Sequence, residues 1–323
     1  MTPDPERWAR DQLPVRELVP IRSRPWADVW RVETDEGVWW LKVNGTGTTY
    51  EPRLLEYLAG LGSALIPESV VHPDEPWSLI ADGGQPLSEV EPRLTRAEQV
   101  DFWCTLMADY AALQQAAAAR GRPDVGLPDF SPGQLLTRFD EVLASGWFRQ
   151  QAARDLTPGQ LDRIGHTRDA LGPVARKLAD GRPCSVQHDD LHGNNVLVDP
   201  RGPGSRPGAR LIDWGDAVWA HPFGTLLITL RSLAEEWSVA DDDPVLQRVR
   251  DAYLEPWRDR GESRAELADQ LDLAVRSGGL LRAGCWVRAL GTPNTTEAPA
   301  SADALSGWLL KLAGALHVFD EAG

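Results

Sequence analysis

The chain has 323 residues and a formal net charge of −15, with 33 Lys and Arg against 48 Asp and Glu. A surface of that sign repels nucleic-acid phosphates, which argues against non-specific nucleic-acid binding and leaves a solubilising surface or one that favours a small cationic substrate. Apolar and charged shares of 42% and 25% are ordinary for a globular protein, and the length allows a sizeable core in two lobes or two domains.

The N-terminal stretch Met1-Thr-Pro-Asp-Pro-Glu-Arg7 carries no basic region with an apolar run behind it, so no secretory leader is expected. No uninterrupted apolar stretch is long enough to span a bilayer, and no membrane partner is expected. Residues 16 to 43 read as strands: 28–34 and 38–43 flank Asp35-Glu-Gly37, a hairpin turn. Alternation puts Val38, Trp40 and Lys42 on one face and Trp39, Leu41 and Val43 on the other. Lys42 is then either a snorkelling surface residue or a phosphate-gripping lysine. A loop from Asn44 to Tyr50 precedes a helix that starts near Glu51-Pro52 and stops at Gly60 and Gly62. Trp77 to Ala81 is a further strand, broken by Asp82-Gly-Gly-Gln-Pro86.

Beyond residue 90 the pattern turns helical. Thr95-Arg-Ala-Glu98 is a capping box for a helix ending near Arg120, with Gly121 and Pro123 behind it. Ser131-Pro132 and Thr157-Pro158 pair an N-cap with a first-turn proline for two more helices. The second contains Gly172-Pro173, where a kink is expected. Further helices are predicted near 222–238, 244–260, 262–290 and 302–319. Cys104, Cys184 and Cys285 are far apart and odd in number, which suggests neither a disulfide framework nor a metal site and points to a reducing cytoplasm.

Residues 183 to 213 carry the chemistry. Asn195-Val-Leu-Val198 is a short β-branched strand, 201–208 is a Gly/Pro-rich turn, and Arg210-Leu-Ile-Asp213 is the return strand. Equal strand lengths bring Asn195 and Asp213 to the same end of the ladder, and Asp190 lies five positions before Asn195 on the entering loop. Mg²⁺ takes hard oxygen ligands and is held by one or two carboxylates plus substrate phosphates, a role that fits Asp213 and Asn195. Asp190 is left to accept the proton of an attacking hydroxyl. Singly, each of these residues reads as a turn former.

His188-Asp-Asp190-Leu-His192-Gly-Asn-Asn195-Val-Leu-Val198, followed by Leu211-Ile-Asp213-Trp-Gly-Asp-Ala217, resembles the signature of the aminoglycoside phosphotransferase family, which shares the protein-kinase fold. The resemblance implies an α+β, two-lobed protein. A small antiparallel β lobe with one helix spans 1–82, and a larger, mainly helical lobe spans 83–323. It implies an ATP-dependent small-molecule kinase that uses Mg²⁺, with Asp190 as catalytic base and Asn195 and Asp213 as metal ligands. The acceptor is then a hydroxylated small molecule such as an aminoglycoside, another antibiotic, an amino sugar or an amino alcohol, bound by a monomer or homodimer. It also implies Lys42 as the phosphate lysine, with Glu51 as its helix partner. The rival Glu56 stands about 140° round the helix, so both cannot face Lys42. The segment at Ile80 and Asp82 becomes the inter-lobe hinge that meets adenine, and His188 a residue that fixes the loop through backbone. One departure is plain: Ile21-Arg-Ser-Arg-Pro-Trp-Ala-Asp28 has no glycine where kinases carry a Gly-rich loop, so Ser23 or Arg24 is expected to assist at the phosphates.

Two other classes fit parts of the pattern. His188-x-Asp190-x-His192 could hold a transition metal in a hydrolase. A catalytically inactive kinase-fold module that only binds nucleotide would account for the missing glycines.

Overall fold

The computed structural model describes residues 4–199, 208–290 and 303–320. The turn expected at 201–208 therefore lies, but for Gly208, outside the described residues. Helix α1 (Pro5–Gln12), absent from the sequence reading, is N-capped by Asp4 and buries Trp8 and Ala9. Five antiparallel strands follow in the order β1 (Val15–Arg24), β2 (Ala27–Thr34), β3 (Val38–Asn44), β5 (Trp77–Ala81), β4 (Ser69–Val71). Helix α2 (Glu51–Ala59) lies between β3 and β4 in the chain. The alternation of β3 shows in the packing. Leu41, with Trp39 and Val43 beside it, joins a small core under α1 made of Trp8, Val32, Trp77 and Leu79. The opposite face carries Lys42, and also Trp40, whose indole donates to Asp82 Oδ1 at 2.9 Å.

The strand region ends at Ala81, and the segment after it crosses to the helical half. There β6 (Gln85–Pro86) pairs with β9 (Val196–Val198), which pairs with β10 (Ala209–Leu211). Helix α3 (Leu87–Val90) is one turn, and α4 (Arg96–Arg120) opens on the Thr95/Glu98 capping box and closes at Gly121, which has φ 92°. A third small sheet joins β7 (Asp129–Phe130), β11 (Val218–Ala220) and β8 (Ser185–Gln187). The core around α4 is continuous with Leu54, Leu55 and Leu58 of α2, so one apolar body joins both sides of the 82/83 boundary.

The remaining helices are α5 (Leu135–Ala144), α6 (Gly146–Asp155), α7 (Pro158–Ala179), α8 (Leu226–Trp237), α9 (Pro244–Leu254), α10 (Arg264–Leu290) and α11 (Asp303–Asp320). Thr157 caps α7 as expected, and that helix runs on through Pro173, whose missing N–H falls on the exposed side. Ser131 makes no capping bond; Pro132–Gln134 is a 3₁₀ turn leading into α5. Helix α6 has no clear signature in the sequence, its Ser145 cap being hidden by Gly146 behind it. The helix expected to reach 260 stops at Leu254 and tightens into a 3₁₀ segment, because Pro256 cannot supply the next backbone donor. The cysteines are free, and no described helix is long and apolar enough to cross a membrane.

Candidate active site

The β9–β10 ladder pairs Val196 with Leu211, and Ile212 N donates to Asn195 O at 3.1 Å, so Asn195 and Asp213 do emerge at one end. Asp213 adopts a left-handed backbone, φ 62° and ψ 58°, which turns its carboxylate toward the small sheet. There Lys42 Nζ lies 2.6 Å from Asp213 Oδ1 and 2.7 Å from Glu51 Oε2. Lys42 is 7% exposed and Glu51 fully buried. Burial opposes charge on Lys42, but Asp213 and then Glu51 outweigh it and hold its pKa above the ordinary value. Lys42 in turn holds Asp213 below the usual carboxylate range. Glu56 instead pairs with Arg53 on the exposed side of α2. Gly215 makes the approach possible: a Cβ there would stand 3.2 Å from Glu51 Oε2 and 3.1 Å from Thr48 Cγ2.

Asp190 sits across the cleft. Asn195 Nδ2 donates to its backbone oxygen at 2.8 Å, which leaves Asn195 Oδ1 facing away from that bond. His192 Nδ1 accepts from Asn194 N, so Nε2 carries the proton and lies 3.4 Å from Asp190 Oδ2. Burial pushes the Asp190 carboxyl upward, but the His192 hydrogen bond and the charge of Arg282 bring it down to about 2. His188 is buried and bonds the Ile212 carbonyl through Nε2 at 2.9 Å, with its ring 4.6 Å from that of Trp214. It is a strut between the loop at 188–195 and the return strand. Asp189 points the other way, into the interior, at 2% exposure, and takes hydrogen bonds from Gln187 and Cys285.

A cavity of about 170 Å³ brings Lys42, Asp190 and Asp213 together with Arg22, Trp26, Thr48, Asp216 and one face of α10. That face is Arg282, Cys285, Trp286 and Ala289, and sequence reasoning missed it. The signal was there in their helical spacing, but nothing local told this stripe from a core-packing one. Arg282, 6% exposed, donates to the Asp189 carbonyl at 2.7 Å and Asp216 Oδ2 at 2.8 Å and stands 3.2 Å from Asp190 Oδ1. Trp286 meets Trp26 edge-on, centroids 6.3 Å apart, so α10 reaches the β1–β2 turn.

Three predicted residues lie elsewhere. Ser23 is exposed and pairs with Asp28 in the β1–β2 ladder; Arg22, its neighbour, is the residue on the cavity. The β1–β2 connection is a tight turn at Pro25-Trp26 rather than a loop that could wrap a phosphate. Ile80 and Asp82 do not line the cavity, although Asp82 N bonds Val38 O and fixes the start of the crossing segment. In the acidic stretch after α8, Asp243 caps α9 by accepting from Val245 N at 2.9 Å.

Asp213 and Asn195, two oxygen donors at the end of a ladder beside a lysine, could hold a metal, and the set fits Mg²⁺ completed by phosphates and water. Among the described residues no three His, Cys, Asp or Glu side chains converge as a cage. With His188 turned to backbone, the hydrolase reading loses its ligand set.

The family comparison agrees with this geometry. Residues 17–267 match the phosphotransferase enzyme family. No curated protein sequence matches the chain. Among solved structures, choline kinase from Cryptosporidium parvum Iowa II is similar at TM-score 0.63 and 11% identity, over 94% of this chain and 89% of that one. Ethanolamine kinase from Plasmodium vivax gives 0.62 and 11%, over 95% and 84%. Macrolide 2′-phosphotransferase from Brachybacterium faecium gives 0.56 and 19%, over 97% of both chains. These likenesses carry the fold, α+β and two-lobed, and the family match carries the class: the chain belongs to the phosphotransferase enzyme family.

Proposed function

We propose that this phosphotransferase moves the γ-phosphoryl group of ATP onto a hydroxyl of a small molecule. The supporting observation is that Lys42, Asp190 and Asp213, from three separate parts of the chain, line one cleft, with Glu51 bracing Lys42 and Asn195 bonded to the Asp190 backbone. In this reading the bond between the γ-phosphorus and the ADP oxygen breaks while one forms to the acceptor oxygen. The acceptor proton passes to Asp190 and then to solvent, and ADP leaves. Lys42, braced by Glu51, grips nucleotide phosphates from the sheet side, and Arg22 replaces the absent glycine loop as the nearest β1 cation. Mg²⁺, held by Asn195 and Asp213, would neutralise charge on those phosphates.

An Asp190 carboxylate held near pKa 2 is a weak base, so it first orients the hydroxyl and takes the proton late, once the phosphoryl group has begun to transfer. A module that only binds nucleotide would use Lys42, Glu51, Asp213 and Asn195 equally, but has no use for the Asp190 carboxylate on the opposite side of the cleft. The deciding experiment is ATP depletion against aminoglycosides, peptide antibiotics, amino sugars and choline-like alcohols, with the product identified as a phosphomonoester. ATP binding with no turnover across a broad hydroxyl panel would favour the module instead.

A further inference from the structure

One indole beside the catalytic loop gathers three cations. Trp308 of α11 has Lys311 Nζ 4.4 Å from its ring centroid, Arg231 of α8 at 5.3 Å and Arg282 of α10 at 5.9 Å. A ring face attracts a cation, but three cations on one ring repel each other. Partial burial and then Arg231 accordingly hold the Lys311 ammonium below the ordinary lysine value. Neither Arg231 nor Lys311 has a carboxylate partner among the described residues, in a protein where acidic residues outnumber basic ones 48 to 33. Arg282 ties this cluster to the chemistry: the guanidinium over Trp308 is the one standing 3.2 Å from Asp190 Oδ1.

We propose that the Trp308 cluster seats an anionic group of the phosphoryl acceptor. The acceptor's apolar body lies on the indole and its hydroxyl reaches Asp190. This rests on the transfer reading above and names the acceptor class, in place of the cationic one that the net charge favours. Of the three cations, Arg282 has carboxylate partners in Asp190 and Asp216, which leaves Arg231 and Lys311 as the charges facing an acceptor.

The test uses two matched trios: tyrosol, tyramine and 4-hydroxyphenylacetate; glucose, glucosamine and glucuronate. Calorimetric binding to the full chain with magnesium and a non-hydrolysable ATP analogue is measured beside ADP release with ATP. In each trio the acid should bind most tightly and give the highest kcat/KM. The double variant Arg231→Glu/Lys311→Glu should lower that preference by about tenfold or more, the scale of one charge-assisted contact. Arg176→Glu, the same charge change on the exposed side of α7, should keep it. Preference for the amine, no advantage of the acid over the neutral member, or a preference that survives the double variant overturns the proposal. Failure to bind the ATP analogue at all would instead remove the transfer reading.

Discussion

Lys42 and Glu51, nine residues apart in sequence, meet at 2.7 Å in a buried pair that joins β3 to α2. Breaking a buried pair leaves an uncompensated charge, which costs far more than an exposed pair contributes. Glu51→Gln should therefore raise the KM for ATP and lower kcat by about tenfold or more, as a misplaced phosphate contact does. Glu56→Gln should leave both near wild type, because its partner Arg53 is exposed. Steady-state kinetics of the two variants side by side check this. An effect of Glu56→Gln with Glu51→Gln silent would contradict it.

Asp213→Ala should abolish turnover, and excess EDTA should do the same to wild type. The carboxylate serves both Lys42 and, on this account, the metal, so its removal disorders the phosphate end of the cleft from both sides. Activity of Asp213→Ala would remove Asp213 from the site, and activity of wild type in EDTA would remove the metal from the mechanism.

The low pKa of Asp190 gives a pH test. Its carboxyl is at about 2 because the His192 hydrogen bond and the Arg282 charge outweigh burial. The wild-type rate should then show no acid limb from Asp190 at any pH near neutrality. His192→Ala and Arg282→Met each remove a cause of the depression, so the acid limb of kcat should move upward in both. Linkage has the same sign. A depressed carboxylate stabilises the fold above its unfolded pKa of about 4, and that contribution is lost as pH falls through about 2.

Asp189 behaves oppositely. Burial outweighs Arg282 and the hydrogen bond from Cys285 and raises its carboxyl to about 7. A carboxyl raised on folding favours the folded state below its unfolded pKa, and the advantage disappears as pH rises from about 4 to about 7. Asp189→Asn should flatten this slope, so that its melting temperature falls less than that of wild type across the window, by the equivalent of about 1–4 kcal/mol. Parallel melting curves for the two proteins would show that Asp189 does not titrate there.

How much of this could be read from sequence depended on how local the cause was. The hairpin ending at Asn195 and Asp213, the alternation that aims Lys42, and the Thr95 and Thr157 capping boxes all act over a few residues, and period and spacing expose them. Choosing Glu51 over Glu56 needed only the helical angle together with a resemblance. The α10 face could not be found that way. Arg282 reaches Asp190, Asp189 and Asp216 over 66 or more positions, and an arginine in a long helix looks like any solvated charge until the neighbouring helices are packed. Ser23 failed for a related reason. The β1–β2 turn is tight, so strand alternation puts Arg22 at the cavity and Ser23 away from it.

The most direct test of the account compares Asp190→Asn with Asp189→Asn in single-turnover phosphoryl transfer, with calorimetric titration of ATP and magnesium alongside. Asp190 faces the cavity beside Asn195, while its neighbour is turned into the interior. The amide introduced by Asp190→Asn would keep the shape and a hydrogen bond to the hydroxyl but could not accept the proton, so transfer should slow by about 10²–10⁴-fold with nucleotide affinity unchanged. Asp189→Asn should transfer at close to the wild-type rate at the pH where both proteins are folded. Normal transfer by Asp190→Asn beside an inactive Asp189→Asn would contradict the assignment of the catalytic loop and the mechanism built on it.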